Sequence, residues 1–252
     1  KFSEKMMDYV LYKNIDDKYL TLEDCVKENQ KPEEKAEEEK PAEDAQEKKE
    51  ESEKEKVTIY YVTDPVQQSQ YINMFRSQKM DAVILRHNID TAFITHVERV
   101  KENVKFQRID ADLTEDLKED GADLEEEKKA LESLFRKALN NEKLEVRVEN
   151  LKDEKVSAMV TLSEESRRME EMMKMYGMGG MDASAFGGQQ TLVLNAKHPL
   201  VQYIYSHQDG EKVTMFCKQL YDLAMISHKP LSPEEMTAFI ARSNEIMMEL
   251  TK

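Results

Sequence analysis

Apolar residues recur along this chain in two periods, and polar runs separate the segments they define. Phe2, Met6, Met7 and Val10 fall near helical spacing. Asn14-Ile15-Asp16-Asp17 then reads as a turn, and Thr21-Leu22-Glu23-Asp24 as the start of a second short helix. Val57 to Val62 is a β-branched and aromatic run of the buried-strand type. Asp64, Pro65 and Gln67 have the form of a capping box with proline in the first turn, which predicts a helix beginning there. Ala82 to Leu85 is a second buried strand, and Asn88-Ile89-Asp90 opens a further helical stretch to about Val97. The order strand, helix, strand, helix predicts parallel strands covered by helices, a small α/β unit over residues 57–110.

Residues 111–122 are polar and acidic, and a domain boundary is expected there, dividing the chain into 1–110 and 111–252. Leu124, Leu131, Leu134, Phe135 and Ala138 mark one face of a helix. Val146 and Val148 alternate with charged residues and predict a strand. Val156 to Leu162 predicts its hairpin or sheet partner, and Thr191 to Leu194 a third strand. His198-Pro199 opens a short helix. Two amphipathic helices follow. The first, from about Glu211 to Ser227, buries Val213, Phe216, Cys217, Leu220 and Ala224. The second begins with a capping box at Ser232-Pro233-Glu234-Glu235 and aligns Met236, Phe239, Ile240, Ser243, Ile246, Met247 and Leu250 on one stripe. The fold class expected is α+β: a small parallel-strand α/β subdomain, then a mixed α/β domain ending in a helical hairpin.

Composition changes this picture in one place. Residues 30–56 are almost entirely Glu, Lys, Ala, Pro and Asp. Such a segment has too little apolar surface to offset its ordering entropy, so it reads as a disordered acidic insertion. The net charge of -15 argues against nucleic acid as a partner and disfavours docking on anionic membranes. No apolar run approaches the roughly 18 residues that span a bilayer. Cys25 and Cys217 have no metal or disulfide spacing, which fits a reducing cytoplasm. The N-terminus lacks a start methionine and a signal-peptide core, and the chain reads as a piece of a longer protein.

Among His87, His96, His198, His207 and His228 there is no HExxH, and there is no GxSxG or phosphate-binding glycine loop elsewhere. The glycines between Gly177 and Gly188 are interleaved with methionine and follow a helical pattern, so they do not form a phosphate cradle. An α/β enzyme domain at 57–110 with a helical oligomerisation tail is the competing functional reading. No glycine-rich loop follows Val62 or Leu85 to support it.

Methionine is the unusual feature. The chain has 16, five of them from Met169 to Met178. Ser163 suits a helix cap, and Met169, Met172, Met173 and Tyr176 then share one face. The stripe packs either as a core or as an exposed, adaptable surface, since methionine repacks against many partners. The final two helices pose the same choice. Their stripes pack on the 144–195 sheet, or pair with a second copy as a four-helix bundle.

Lys18-Tyr-Leu-Thr-Leu-Glu-Asp24, Ile59-Tyr-Tyr-Val62, Asp81-Ala-Val-Ile-Leu85 and Ile89-Asp90 together resemble the end of the middle domain of the ninety-kilodalton heat-shock chaperones, the bacterial members most of all. Arg167 to Lys174 resembles that family's amphipathic C-terminal helix, and Leu194-Asn-Ala-Lys-His-Pro-Leu200 is similar to the segment before its dimerisation helices. The resemblance runs in order over nearly the whole chain. It implies a homodimer joined through Phe216, Leu220, Phe239, Ile240, Ile246, Met247 and Leu250. It implies binding of non-native client proteins at Met169, Met172, Met173 and Tyr176, with Phe93 contributing from the first domain. It also implies that ATP and magnesium bind a domain outside this chain, leaving no catalysis or cofactor here. The pattern differs at two points: Ala92 stands where bacterial relatives carry tryptophan, and the tract 30–56 is an insertion within the middle domain.

Overall fold

The computed structural model describes residues 6–30, 56–87, 89–119, 124–164, 166, 168, 190–210, 212–249 and 251. They form two compact units, Lys1–Pro65 with Lys79–Ile109, and Val66–Gln78 with Asp110–Lys252. The acidic tract expected to be disordered lies outside the described residues, apart from its two ends.

In the first unit, β3 (Val57–Val62) is the central strand. It pairs in parallel with β4 (Val83–Ile84) on one side and with β5 (Val104–Arg108) on the other. The parallel arrangement expected from the sequence is present, with one more strand than it predicts. β5 alternates buried Val104, Phe106 and Arg108 with the more open Lys105 and Gln107. That period of two is a faint signal in a segment where charged residues interrupt the apolar ones. Helix α3 (Asp90–Val100) buries Ile94 and Val97 against this sheet. The helical run at the N-terminus ends in a turn after Met7. It is followed by β1 (Tyr12–Lys13) and β2 (Tyr19–Leu20), which pair antiparallel.

Asn14 makes the turn between those strands. Its Oδ1 accepts from Asp16 N at 3.1 Å and Lys18 N at 2.8 Å, and its Nδ2 donates to Asp81 at 3.1 Å. Helix α1 (Leu22–Asn29) starts where the sequence places it. Thr21 accepts from Asp24 N, and Asp24 accepts from Thr21 N, a complete capping box. The Thr21 hydroxyl and amide beside it hold the Asp24 carboxyl below its ordinary value.

The second unit is built on a three-stranded sheet of β6 (Glu145–Glu149), β7 (Ala158–Leu162) and β8 (Gln190–Asn195). The order is β6-β8-β7. β8 is parallel to β6 and antiparallel to β7. β6 and β7 are therefore members of one sheet but not a hairpin. The fully buried run Thr191 to Asn195 takes the middle, as a continuous apolar strand covered on both faces should. Buried Asn195 ties this sheet to the preceding loop. Its Nδ2 donates to the carbonyls of Asp153 and Val156, and its Oδ1 accepts from Leu151 N.

Helix α2 (Ser69–Ser77) belongs to this unit. It starts later than Asp64-Pro65 predicts. The side chains of the expected first turn are used in tertiary contacts: Gln67 donates to Ile226 O at 2.6 Å, and Gln68 is buried. A capping pattern states only a local preference, and packing overrides it here. Helix α4 (Glu125–Leu139) places Leu131, Phe135 and Ala138 in the core and ends at Asn140, whose φ of 51° is the left-handed cap. Helix α5 (Pro199–Ser206) is capped by His198, which accepts from Leu200 N. α6 (Val213–His228) and α7 (Pro233–Glu249) complete the chain.

Candidate functional site

α6 and α7 form the hairpin that the sequence pattern anticipates, and their two faces are used differently. α6 turns Val213, Cys217, Leu220, Ala224 and Met225 into the core shared by α4, β6, β7 and β8. Leu220, expected at a dimer interface, is only 2% exposed in the single chain. Phe216 is half-buried, and its ring stands edge-on to Tyr203 at 5.7 Å.

α7 begins with the predicted capping box. Ser232 N donates to Glu235, and Glu235 N donates to Ser232 Oγ. The amide and hydroxyl of Ser232, bonded to the Glu235 carboxyl, keep it below its ordinary value. The side of α7 toward α6 is held by polar groups. Arg242 donates to Gln219 at 3.0 Å and pairs with Asp222. Gln219 donates to Ser243 Oγ at 3.0 Å, and Lys212 pairs with Glu249 at 2.6 Å. Burial pushes the Asp222 carboxyl up, more than Arg242 pulls it down. The sequence reading missed this polar seam because it followed only the apolar stripe. Ser243 within that stripe, with Arg242 beside it, was the available signal.

None of the described residues of α7 is buried. Ile240 is 53% and Met247 56% exposed, Met236 and Met248 are also open, and Leu223 is exposed on α6. Phe239 and Ile246 are half-buried. Fully burying a side chain of this size is worth about 1.5–3 kcal/mol. An unpartnered row of them is a large free-energy source for association.

Phe93 lies in the first unit, half-buried against its core, with its ring 6.4 Å from that of Tyr12. Ala92 beside it is exposed. Met169, Met172, Met173, Tyr176 and Leu250 lie outside the described residues. The start of the methionine segment is described: Ser163 Oγ accepts from Ser166 N at 3.3 Å, and Glu164 pairs with Arg168 at 2.9 Å. The expected cap is therefore in place.

Among the described residues, no three His, Cys, Asp or Glu side chains are grouped to hold a metal ion. Burial pushes the thiols of Cys25 and Cys217 up to about 12, so both stay protonated at neutral pH and neither is a ready nucleophile. No described helix is long and apolar enough to cross a membrane.

The family model described as Hsp90 protein matches residues 53–251. Chaperone protein HtpG of Pseudoalteromonas translucida is 25% identical over 205 residues, covering 77% of this chain and 31% of the relative. Chaperone protein HtpG of Bacteroides fragilis is 28% identical over 226 residues, covering 83% and 29%. That of Treponema denticola is 26% identical over 204 residues, covering 76% and 31%. The chain thus spans under a third of the length of these curated relatives. Because the family match takes in most of its length, the chain belongs to the Hsp90 family.

Proposed function

We propose that this chain supplies homodimerisation and client binding to an ATP-dependent chaperone whose nucleotide-hydrolysing domain is not part of it. The observation that carries this reading is the open apolar row on α7, with Met236, Ile240 and Met247 exposed while the helix is anchored to α6 by polar groups. A helix that spends polar contacts inward and leaves apolar ones outward is suited to a second copy of itself. Pairing two such hairpins gives a four-helix bundle. Client proteins in a non-native state would meet the methionine segment after Ser163, where unbranched, polarizable side chains adapt to varied apolar partners.

Client binding is tested by light scattering of an aggregating, heat-denatured protein in the presence of this chain. The wild-type chain should suppress the aggregation. Met172→Asp and Met173→Asp should reduce suppression several-fold while circular dichroism and dimer mass are unchanged. Unfolding of both variants would instead make the stripe part of a core.

A further inference from the structure

Sulfur is concentrated in the open apolar row of α7. Met236 is 38% and Met248 64% exposed, with Met247 between them in openness. Met236, Ile240 and Met247 stand at i, i+4 and i+11, which puts them on one face of the helix. Leucine would fill a seam between helices equally well, with similar helix propensity. Methionine differs in one respect that bears on function: its thioether sulfur is oxidised by peroxides.

The other described methionines are placed differently. Met7, Met74, Met159 and Met225 are buried, Met80 and Met215 are half-buried, and Met6 is exposed in the first unit. Cys25 and Cys217 are buried, and burial holds both thiols protonated at neutral pH. Among the described residues, a peroxide therefore meets the sulfur of α7 and of Met6 first. The reaction is a transfer of one oxygen atom. The sulfur lone pair attacks a peroxide oxygen, the O–O bond breaks and an S–O bond forms. Sulfur loses two electrons, the peroxide gains them, and the departing hydroxide takes the remaining proton and leaves as water. The product is a sulfoxide, a strong hydrogen-bond acceptor where an apolar group stood. Burying such an oxygen in an apolar seam without a donor is costly.

We propose that Met236, Met247 and Met248 form a peroxide-sensitive site that controls association of the chain. Oxidation strikes the dissociated chain, whose row is open, and the sulfoxides then disfavour its return to a partner. Reduction of the sulfoxides restores the apolar row and with it the pairing. This switch rests on the reading of the α7 row as the seam between two copies, and it adds to that seam a chemical control.

The test treats the full chain with hydrogen peroxide, maps sulfoxides by peptide mass spectrometry and measures the dimer dissociation constant by light scattering across a dilution series. Sulfoxide at Met236 and Met247 should raise that constant at least tenfold, and reduction by a methionine sulfoxide reductase should restore it. Diluting the chain before treatment should speed oxidation of Met236 and Met247 at least threefold and leave that of Met6 unchanged. The variant Met236→Leu, Met247→Leu, Met248→Leu should dimerise as the wild type does and stay dimeric after the same treatment, because leucine keeps the volume and carries no sulfur. That variant also separates the row from Met169 to Met181 and from the two cysteines. A wild-type chain that carries both sulfoxides with an unchanged dissociation constant overturns the switch and leaves dimerisation standing. So does a leucine variant that dissociates after treatment, since the sensitive sulfur would then lie outside α7. A wild-type chain that is monomeric before peroxide is added overturns the dimer reading itself, and the switch with it.

Discussion

Tyr12 illustrates a cost carried by a single atom. Its ring packs against Phe106 at 6.2 Å, and the residue is 3% exposed, yet among the described residues its hydroxyl has no hydrogen-bond partner. Burial also pushes that hydroxyl's pKa upward. An unsatisfied buried hydroxyl costs about 1–3 kcal/mol. Tyr12→Phe keeps the ring and removes the cost, so it should raise stability by about 1 kcal/mol in denaturant unfolding. A loss of stability would show that the hydroxyl is bonded in solution. Asp222 carries a cost of a different kind. Its folded pKa is raised by burial, so the folded chain holds this proton more tightly than the unfolded chain does. The stabilisation tied to the proton is full below the ordinary value of 3.8 and is lost as pH rises through the raised one. Asp222→Asn cannot lose it. The stability of the Asn variant relative to wild type should therefore grow from pH 3.5 toward neutral. A difference that stays flat with pH contradicts this account of Asp222.

At the scale of elements, the polar seam holds one side of α7 to α6, and the exposed apolar row lies on the side proposed to pair with a second copy. Phe239→Asp and Ile246→Asp should give monomers, because a charge buried in a dimer seam is costly, and far-ultraviolet circular dichroism should stay native. An unchanged dimer would place the seam elsewhere. Much of this architecture was legible. The run Val57–Val62, the box at Thr21 and the box at Ser232 each state a local rule that packing leaves in force. What was not legible depended on partners distant in sequence. The start of α2 shifted because Gln67 reaches Ile226, and the pairing of β7 changed because β8 takes the centre of the sheet. β5 was missed because alternation in a charged segment is a faint signal. Leu220 shows the limit of a stripe as a guide to interfaces, since the same periodicity serves a core.

At the scale of the molecule, each of the two compact units has its own apolar core. The family match spans most of the chain, while the curated relatives are about three times longer. Association through α7 is the central claim, because it would turn one chain with an open apolar row into a paired scaffold with two client-facing surfaces. Size-exclusion chromatography with light scattering, across a dilution series, tests it most directly. The account predicts a mass of twice the chain that falls toward one chain only at high dilution, and a single-chain mass at every concentration for Phe239→Asp. A wild-type chain that is monomeric at all concentrations would contradict it.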